Sequence, residues 1–271
     1  MKSYICLAVS LIFLRSCAFF KSSPSKMPVY EAHTFVLRGD TLPYRLLKPV
    51  EMEEKCVYPL VIFLHGAGER GNDNEKQLTH GTYLFQKQEN AKKFPCFVLA
   101  PQCPEDSFWV ETPWNSLEYK ITPEPSQPLK NVYALVLELM DSLPIDSERI
   151  YITGLSMGGF GTWDMLARWP ELFAAGVPIC GGGDAETVPR FAHIPLWIFH
   201  SADDPVVPVE FSRRMVDALE KADASFHYTE YKDAGHASWK RAYEEPELLP
   251  WLFSQRKSIP SAYNNKKVFD M

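Results

Sequence analysis

A serine between two glycines is the residue in this chain that is best placed for chemistry. Ser156 stands in the Gly-x-Ser-x-Gly pattern from Gly154 to Gly158, after the β-branched and aromatic residues 150–152 and before residues 160–168, whose apolar side chains have helical spacing. This order of strand, tight turn and helix is typical of a nucleophile elbow, in which a strained turn exposes a serine hydroxyl and the glycines leave room for it. The pattern therefore predicts that Ser156 is a nucleophile.

Two backbone N–H groups are candidates for stabilising an oxyanion. The turn would aim the N–H of Met157 at the space in front of the serine hydroxyl, where the helix N-terminus adds partial positive charge. A second donor is expected after the apolar run 58–64, in the glycine-rich stretch from His65 to Gly71, because glycines beyond a buried strand let a backbone N–H turn towards a ligand. We expect this donor to be Ala67. The alternative is that His65 and the glycines only form a turn.

A serine hydroxyl becomes a good nucleophile when a histidine accepts its proton and a carboxylate holds that histidine. His236 lies in a glycine-containing loop after the last predicted strand, where such a base is expected. Asp203 and Asp204, which follow the strand that ends at His200, compete for the acid role. Asp233 is a third candidate, although it is too close in sequence to His236 to reach its ring easily. We expect His200 to orient the acid loop rather than react.

The elements that must position these groups alternate between strands and helices. Strands are predicted at residues 34–37, 44–47, 58–64, 97–100, 150–152, 174–180, 195–200 and 226–231. Helices are predicted at residues 129–143, 160–168, 211–219 and 247–253, with a short helix after the polar residues 73–75. Alternation with short connections predicts an α/β fold with a mostly parallel twisted sheet and helices on both faces. We expect one domain over residues 30–255 and a peripheral tail at 256–271.

With these motifs in this order, the chain resembles an α/β-hydrolase of the branch that groups dienelactone hydrolases, phospholipase/carboxylesterases and short prolyl-oligopeptidase-like esterases. It is particularly similar to secreted bacterial esterases with a His-Gly-Ala-Gly-Glu-Arg-Gly oxyanion loop, and the resemblance covers about residues 59 to 253. In that branch the acid begins an Asp-x-x-Val-Pro motif, which here starts at Asp204, so the resemblance selects Asp204 over Asp203. One departure is Ser201, where the family usually has glycine.

The resemblance supports Ser156 as nucleophile, His236 as base, and Met157 with Ala67 as oxyanion donors. It implies hydrolysis of carboxylic esters through an acyl-enzyme, with no cofactor and no metal. A peptidase is the nearest alternative, but related peptidases usually carry a large extra domain, and we expect none before Tyr30. A non-catalytic binding protein on the same scaffold is the other alternative, although such scaffolds usually lose a member of the triad.

A long segment without regular periodicity, residues 101–128, contains four aromatic residues and is the candidate for a substrate-binding wall. We expect Trp109 and Trp114 to line a substrate cleft; the alternative is that the aromatic residues pack over the sheet edge. Together with an export signal, which we predict at residues 1–18, this segment favours acetyl or feruloyl esters of polysaccharides as substrates. Short-chain lipid esters and thioesters remain alternatives.

The first residues predict export. Lys2 precedes an apolar run at residues 4–14, and the small residues Ser16 and Ala18 favour cleavage after Ala18, so residues 1–18 are read as a signal peptide. Residues 14–17 also resemble a lipobox that would place a lipid on Cys17, and a third alternative is an uncleaved anchor reaching to residue 20. All three place the body of the protein outside the cytoplasm. Membrane contact is expected only through this N-terminal lipid or anchor.

Composition limits the partners. The 271 residues carry a net charge of −6 and no long basic run, which argues against nucleic acid as the main partner. An exported chain would retain four cysteines, Cys56, Cys96, Cys103 and Cys180, whose spacing resembles no metal site. They could form two disulfides, or they could be buried thiols.

Overall fold

The apolar runs of the sequence form the strands of one eight-stranded sheet in the computed structural model, which describes residues 27–111 and 119–257. The strands are β1 Glu31–Leu37, β2 Asp40–Leu47, β3 Tyr58–Leu64, β4 Phe97–Pro101, β5 Ile145–Leu155, β6 Ala175–Ile179, β7 Leu196–Ser201 and β8 Phe226–Tyr231. The helices are α1 Tyr83–Gln86, α2 Gln88–Lys93, α3 Gln127–Ser142, α4 Met157–Arg168, α5 Glu210–Lys221, α6 Trp239–Ala242 and α7 Leu248–Ser254. Short 3₁₀ helices lie at Ala67–Glu69, Lys76–Leu78, Pro170–Leu172, Ala185–Arg190 and His236–Ser238.

The strand order is β1-β2-β4-β3-β5-β6-β7-β8. Strand β2 runs antiparallel to both of its neighbours, whereas every pair from β4-β3 through β7-β8 is parallel. The prediction of a mostly parallel sheet is thus confirmed. Because parallel strands end at the same edge, the loops that follow β3, β5, β7 and β8 lie together at the carboxyl edge of the sheet, where sites in such folds are built.

Strand β3 shows why helices cover both faces. All seven residues of Tyr58–Leu64 are buried, and alternate side chains enter two different cores. Leu60, Ile62 and Leu64 pack in a cluster with residues of α3, α4 and α5. Val61 and Phe63 pack in a second cluster with residues of α1, α6 and α7. The sheet therefore forms the middle of three layers, as predicted.

Strand β5 begins at Ile145, earlier than the predicted start at residue 150. Residues 146–149 are polar, so hydrophobicity alone could not predict that they belong to the strand. Asp146 pairs there with Arg149 at 2.7 Å, and Tyr58 is the partner of Ile145 in the sheet before the register shifts. The extension lies at the end of the strand far from Ser156 and leaves the elbow unaffected.

The described cysteines carry free thiols: Cys96, Cys103 and Cys180 are buried and Cys56 is exposed. Burial of unpaired thiols, the second of the two sequence alternatives, therefore holds for three of them. The predicted signal peptide, the lipobox at Cys17 and most of the C-terminal tail lie outside the described residues. Within residues 27–111 and 119–257, no helix combines the length and apolar character needed to cross a membrane.

Candidate active site

The turn from β5 into α4 has the geometry of a nucleophile elbow. Ser156 has φ 53° and ψ −117°, a left-handed conformation that is strained for a residue with a side chain. A Cβ on Gly154 would lie 2.2 Å from the carbonyl oxygen of Gly158, and a Cβ on Gly158 would lie 1.9 Å from that of Leu64. Only glycine allows these close approaches, which fix the sharp turn that presents the Ser156 hydroxyl.

The structure brings together the three side chains that the sequence singled out. His236 Nε2 lies 3.0 Å from Ser156 Oγ, and His236 Nδ1 lies 2.8 Å from Asp204 Oδ2 and 3.0 Å from Oδ1. Ser156 follows β5, Asp204 follows β7, and His236 follows β8, so the sheet edge itself produces the convergence. These distances allow a proton to pass from the hydroxyl to an imidazole that a carboxylate holds in place.

Asp204 is held as a carboxylate. Burial alone would raise its pKa, but hydrogen bonds from His200, from His236 and from two backbone N–H groups outweigh it and lower the pKa well below the usual range. Oδ1 accepts from the N–H groups of Val206 and Val207 at 2.9 and 3.0 Å. His200 Nε2 lies 3.3 Å from Oδ2. His200 therefore contacts the acid, in the orienting position expected from the sequence.

The two competing aspartates have other partners. Asp203 Oδ1 accepts hydrogen bonds from the Ser201 hydroxyl and from the Gly235 N–H. Asp233 pairs with Arg241 at 2.8 Å on the exposed side of its loop. The carboxylate beside the imidazole is thus that of Asp204.

The loop after β3 packs directly against the elbow. A Cβ on Gly66 would lie 2.9 Å from Leu155 Cδ1, and one on Gly158 would lie 2.8 Å from the carbonyl oxygen of His65. Ala67 and Met157 are the first residues of a 3₁₀ helix and of α4. The first N–H groups of a helix have no intrahelical acceptor, so both are free to bind a ligand atom.

His65 holds this loop in place. Its Nε2 accepts a hydrogen bond from the Cys103 N–H at 2.9 Å, so the neutral ring carries its proton on Nδ1, which donates to the Gly66 carbonyl at 2.6 Å. Burial lowers the pKa of His65 to about 4, which keeps the ring neutral. The sequence placed His65 at the start of the stretch that supplies the Ala67 donor, or in a simple turn, and gave its side chain no role. Its place directly after a buried strand was the signal that it is enclosed.

Trp109 corrects an expectation. Its side chain is 0% exposed, its Nε1 donates to the His65 carbonyl at 3.0 Å, and its ring meets that of His65 edge-on at 5.1 Å. It cannot contact a substrate as predicted, because packing inside the core has removed it from the surface; it supports the loop after β3 instead. Tyr119 from the same segment is also buried. Trp114 lies outside the described residues.

Trp239 is a neighbour of the imidazole that sequence reasoning missed. Its ring lies 5.3 Å from that of His236 and nearly perpendicular to it, and 5.5 Å from that of His80. This packing restricts rotation of the His236 ring. The only sequence signal was an aromatic residue three positions after the histidine.

One group of potential metal ligands overlaps this site. Ligand atoms of Cys180, Asp204 and His236 lie within 4.8 Å of one another. A cation there would take a carboxylate oxygen and a ring nitrogen that already serve the hydrogen bonds of His236. Burial raises the pKa of the Cys180 thiol to about 12, which opposes formation of the thiolate that metals bind.

A family model described as phospholipase/carboxylesterase matches residues 47–245. Among solved structures, a thermostable esterase is 44% identical, with a TM-score of 0.78, and the match covers 84% of this chain and 63% of that one. The range matched by the family model includes Ser156, Asp204 and His236.

Two curated relatives are more distant. An uncharacterized secreted protein of Arthroderma benhamiae is 22% identical over 88% of this chain and 28% of its own length. A protein of Arabidopsis thaliana named "Probable carboxylesterase SOBER1-like" is 25% identical over 74% of this chain and 80% of its own length. The chain thus spans less than two thirds of the thermostable esterase and about a quarter of the Arthroderma protein.

Proposed function

Because the chain belongs to the phospholipase/carboxylesterase family of the α/β-hydrolase superfamily, we propose that it is a serine hydrolase of carboxylic esters whose reacting residues are Ser156, His236 and Asp204. The observation that carries this proposal is the pair of distances at His236, 3.0 Å to the Ser156 hydroxyl and 2.8 Å to the Asp204 carboxylate. A histidine with a hydroxyl on one nitrogen and a carboxylate on the other is arranged for nucleophilic catalysis.

In the proposed reaction, Ser156 Oγ attacks the ester carbonyl carbon while His236 Nε2 takes the hydroxyl proton. Asp204 stabilises the imidazolium that forms, and the N–H groups of Met157 and Ala67 donate hydrogen bonds to the developing oxyanion. The protonated His236 then gives its proton to the leaving alcohol, and an acyl-enzyme remains on Ser156.

Deacylation repeats these steps with water. His236 takes a proton from the water as it attacks the acyl carbon, and returns that proton to Ser156 Oγ when the acyl group leaves as a carboxylic acid. The His65 ring and the Trp109 indole keep the loop of Ala67 in place during both steps, because they bind the carbonyls of Gly66 and His65, the two residues directly before Ala67.

The proposed substrates are esters that the protein meets outside the cytoplasm. The expectation of export supports this, and the fungal relative named as a secreted protein is consistent with it. Acetyl and feruloyl esters of polysaccharides stay the first candidates, but the aromatic argument for them is weaker because Trp109 is buried. Acetyl-xylan, methyl ferulate and p-nitrophenyl esters of increasing chain length would rank the substrate classes.

The test of the proposed reaction compares the wild type with a Ser156→Ala variant. The wild type should hydrolyse p-nitrophenyl acetate faster than a matching peptide anilide and should react covalently with a fluorophosphonate at Ser156. Ser156→Ala should lower kcat by on the order of a millionfold, since triad members act as a unit. A variant that keeps most of the ester turnover would refute the assignment, and faster turnover of the anilide would favour a peptidase.

A further inference from the structure

Two side chains of the acid loop, residues 201–208, bind the backbone of the histidine loop, residues 232–236. Ser201 is fully buried at the end of β7, and its Oγ accepts a hydrogen bond from the Ala234 N–H at 2.9 Å. Asp203 Oδ1 accepts from the next N–H, that of Gly235, at 2.8 Å. The Ser201 hydroxyl donates to the same Oδ1 at 2.6 Å. Serine, aspartate and two successive amides thus form one connected network.

The network ends on the residue directly before His236. Gly235 has φ 57° and ψ −158°, a backbone conformation that residues with a side chain rarely adopt. The chain turns there from the end of β8 into the short helix that starts with His236, so the conformation of Gly235 decides where the imidazole points. Holding the Ala234 and Gly235 amides fixes this turn.

Other contacts of the histidine loop are weaker restraints. Arg241 pairs with Asp233 on the solvent side, and both side chains are more than half exposed, where such pairs contribute little. The Ala202 N–H donates to the Tyr231 carbonyl at 2.7 Å, which joins the two loops only at the ends of their strands. Arg241 also donates to the Asp233 carbonyl at 3.3 Å, one residue before the turn. Among the residues that the structure describes, the Ala234 and Gly235 amides find their acceptors in Ser201 and Asp203.

We propose that Ser201 and Asp203 are positioning residues, which hold the histidine loop so that His236 Nε2 stays within hydrogen-bond reach of Ser156 Oγ. The two adjacent carboxylates then have different roles. Asp204 binds the imidazole ring of His236, and Asp203 binds the backbone N–H of the residue before it. The proposal rests on the proposed function, since the distance it maintains matters only if His236 takes the proton of Ser156.

The chemistry of the three partners supports this division. Oδ1 of Asp203 receives two hydrogen bonds, the first from Ser201 and the second from the Gly235 N–H, and these lower the pKa of Asp203 below its ordinary value. The lowered pKa keeps Asp203 a carboxylate, and therefore an acceptor, at neutral pH. Ser201 Oγ also lies 3.3 Å from the Tyr231 carbonyl, but its single proton serves the shorter bond to Asp203.

The experiment compares Ser201→Ala, Asp203→Ala and Asp203→Asn in the full-length protein. The first two remove the acceptor of one loop amide, and kcat for p-nitrophenyl acetate should fall about ten- to a hundredfold while KM changes less than about twofold, as expected from small misplacement of a base. Asp203→Asn keeps an oxygen for the Gly235 N–H and should stay within about threefold of the wild type. Because both residues act through one network, Ser201→Ala/Asp203→Ala should lose no more than about the larger single effect.

Two controls separate positioning from general loss of stability. Thr187→Val removes a buried side-chain hydrogen bond to the Asp184 carbonyl elsewhere in the fold, and Asp217→Asn removes an exposed charge on α5. Both should keep wild-type kcat even where Thr187→Val lowers Tm. The downfield proton resonance of His236 Nδ1–H, hydrogen-bonded to Asp204, should broaden or shift in Ser201→Ala and Asp203→Ala and stay in place in the controls.

Each outcome has a distinct meaning. The positioning role is wrong if the wild type hydrolyses esters and both alanine variants keep kcat within about twofold. It is also wrong if the two variants change KM and leave kcat unchanged. If the wild type neither turns over esters nor reacts with a fluorophosphonate, the proposed function fails; hydrogen exchange at the Ala234 and Gly235 amides, expected to accelerate in both alanine variants, then tests the network alone. Asp203 is exposed, so Asp203→Ala should fold even if Ser201→Ala does not.

Discussion

Replacing Asp204 by asparagine tests the role of the carboxylate with little change in shape. Oδ1 of Asp204 accepts two backbone N–H groups, from Val206 and Val207, at 2.9 and 3.0 Å. The amide oxygen of the variant must take this position, since an amide nitrogen there would face two donors. The new NH₂ group then replaces Oδ2, which lies 2.8 Å from His236 Nδ1.

Two donors cannot face each other at that distance, so His236 must move its ring proton from Nδ1 to Nε2. Nε2 would then offer a proton to Ser156 Oγ, 3.0 Å away, and could no longer accept one. The second contact, 3.0 Å from Nδ1 to Oδ1, cannot restore the tautomer because that oxygen already serves two amides. The expected fall in kcat is about ten thousandfold, which corresponds to about 5 kcal/mol of barrier.

The assay is hydrolysis of p-nitrophenyl acetate by Asp204→Asn, with Asp217→Asn as the charge-matched control on the surface. Circular dichroism should show a folded variant, because its two backbone hydrogen bonds and its side-chain volume are kept. Fluorophosphonate labelling of Ser156 should slow in parallel with kcat. A folded Asp204→Asn variant with more than about a tenth of the wild-type kcat would refute the tautomer argument.

Two further predictions concern buried groups. The pKa of His65 is lowered to about 4, against about 6.5 in an unfolded chain, so its contribution to stability is complete above about pH 6.5 and is lost as the pH falls to 4, by up to about 3 kcal/mol. Urea unfolding at pH 7 and pH 4.5 should show a smaller loss in His65→Asn than in the wild type; equal losses would contradict this. Alkylation of the native protein followed by peptide mapping should modify Cys56 and spare Cys96, Cys103 and Cys180, because burial both blocks them and raises their pKa. Modification of Cys180 before unfolding would show that the site is more open than its burial indicates.

The parts of the site that leave a local pattern were predictable from the sequence. The elbow needs glycine at fixed positions around Ser156, because any side chain at Gly158 would overlap the backbone of β3. Strands buried on both faces, such as Tyr58–Leu64, appear in the sequence as continuous apolar runs, so the first and last residues of this strand could be predicted. The sequence also limited the acid to a few residues.

The parts that depend on contacts distant along the chain could not be read in this way. Asp203 and Asp204 are neighbours of one chemical type. The resemblance through the Asp-x-x-Val-Pro motif selected Asp204 as the acid, but only the fold shows that Asp203 binds the loop backbone. Trp109 is an aromatic residue in a long irregular segment, as expected for a cleft residue, but its indole N–H donates to a carbonyl 44 positions earlier. Ser201, noted only as a departure from glycine, binds an amide 33 positions later. Such pairs leave no periodic signal.

The parallel arrangement of β3 through β8 also determines when the proposed esterase activity can appear during refolding. Ser156 and His236 are 80 positions apart, and they meet only after the intervening strands have paired side by side. Long-range pairing of this kind is slow, because closing a large loop costs conformational entropy before the stabilising contacts between the strands have formed. Recovery of ester turnover after dilution from denaturant would therefore follow the last pairing event in this half of the sheet, and would lag behind the return of helical circular dichroism.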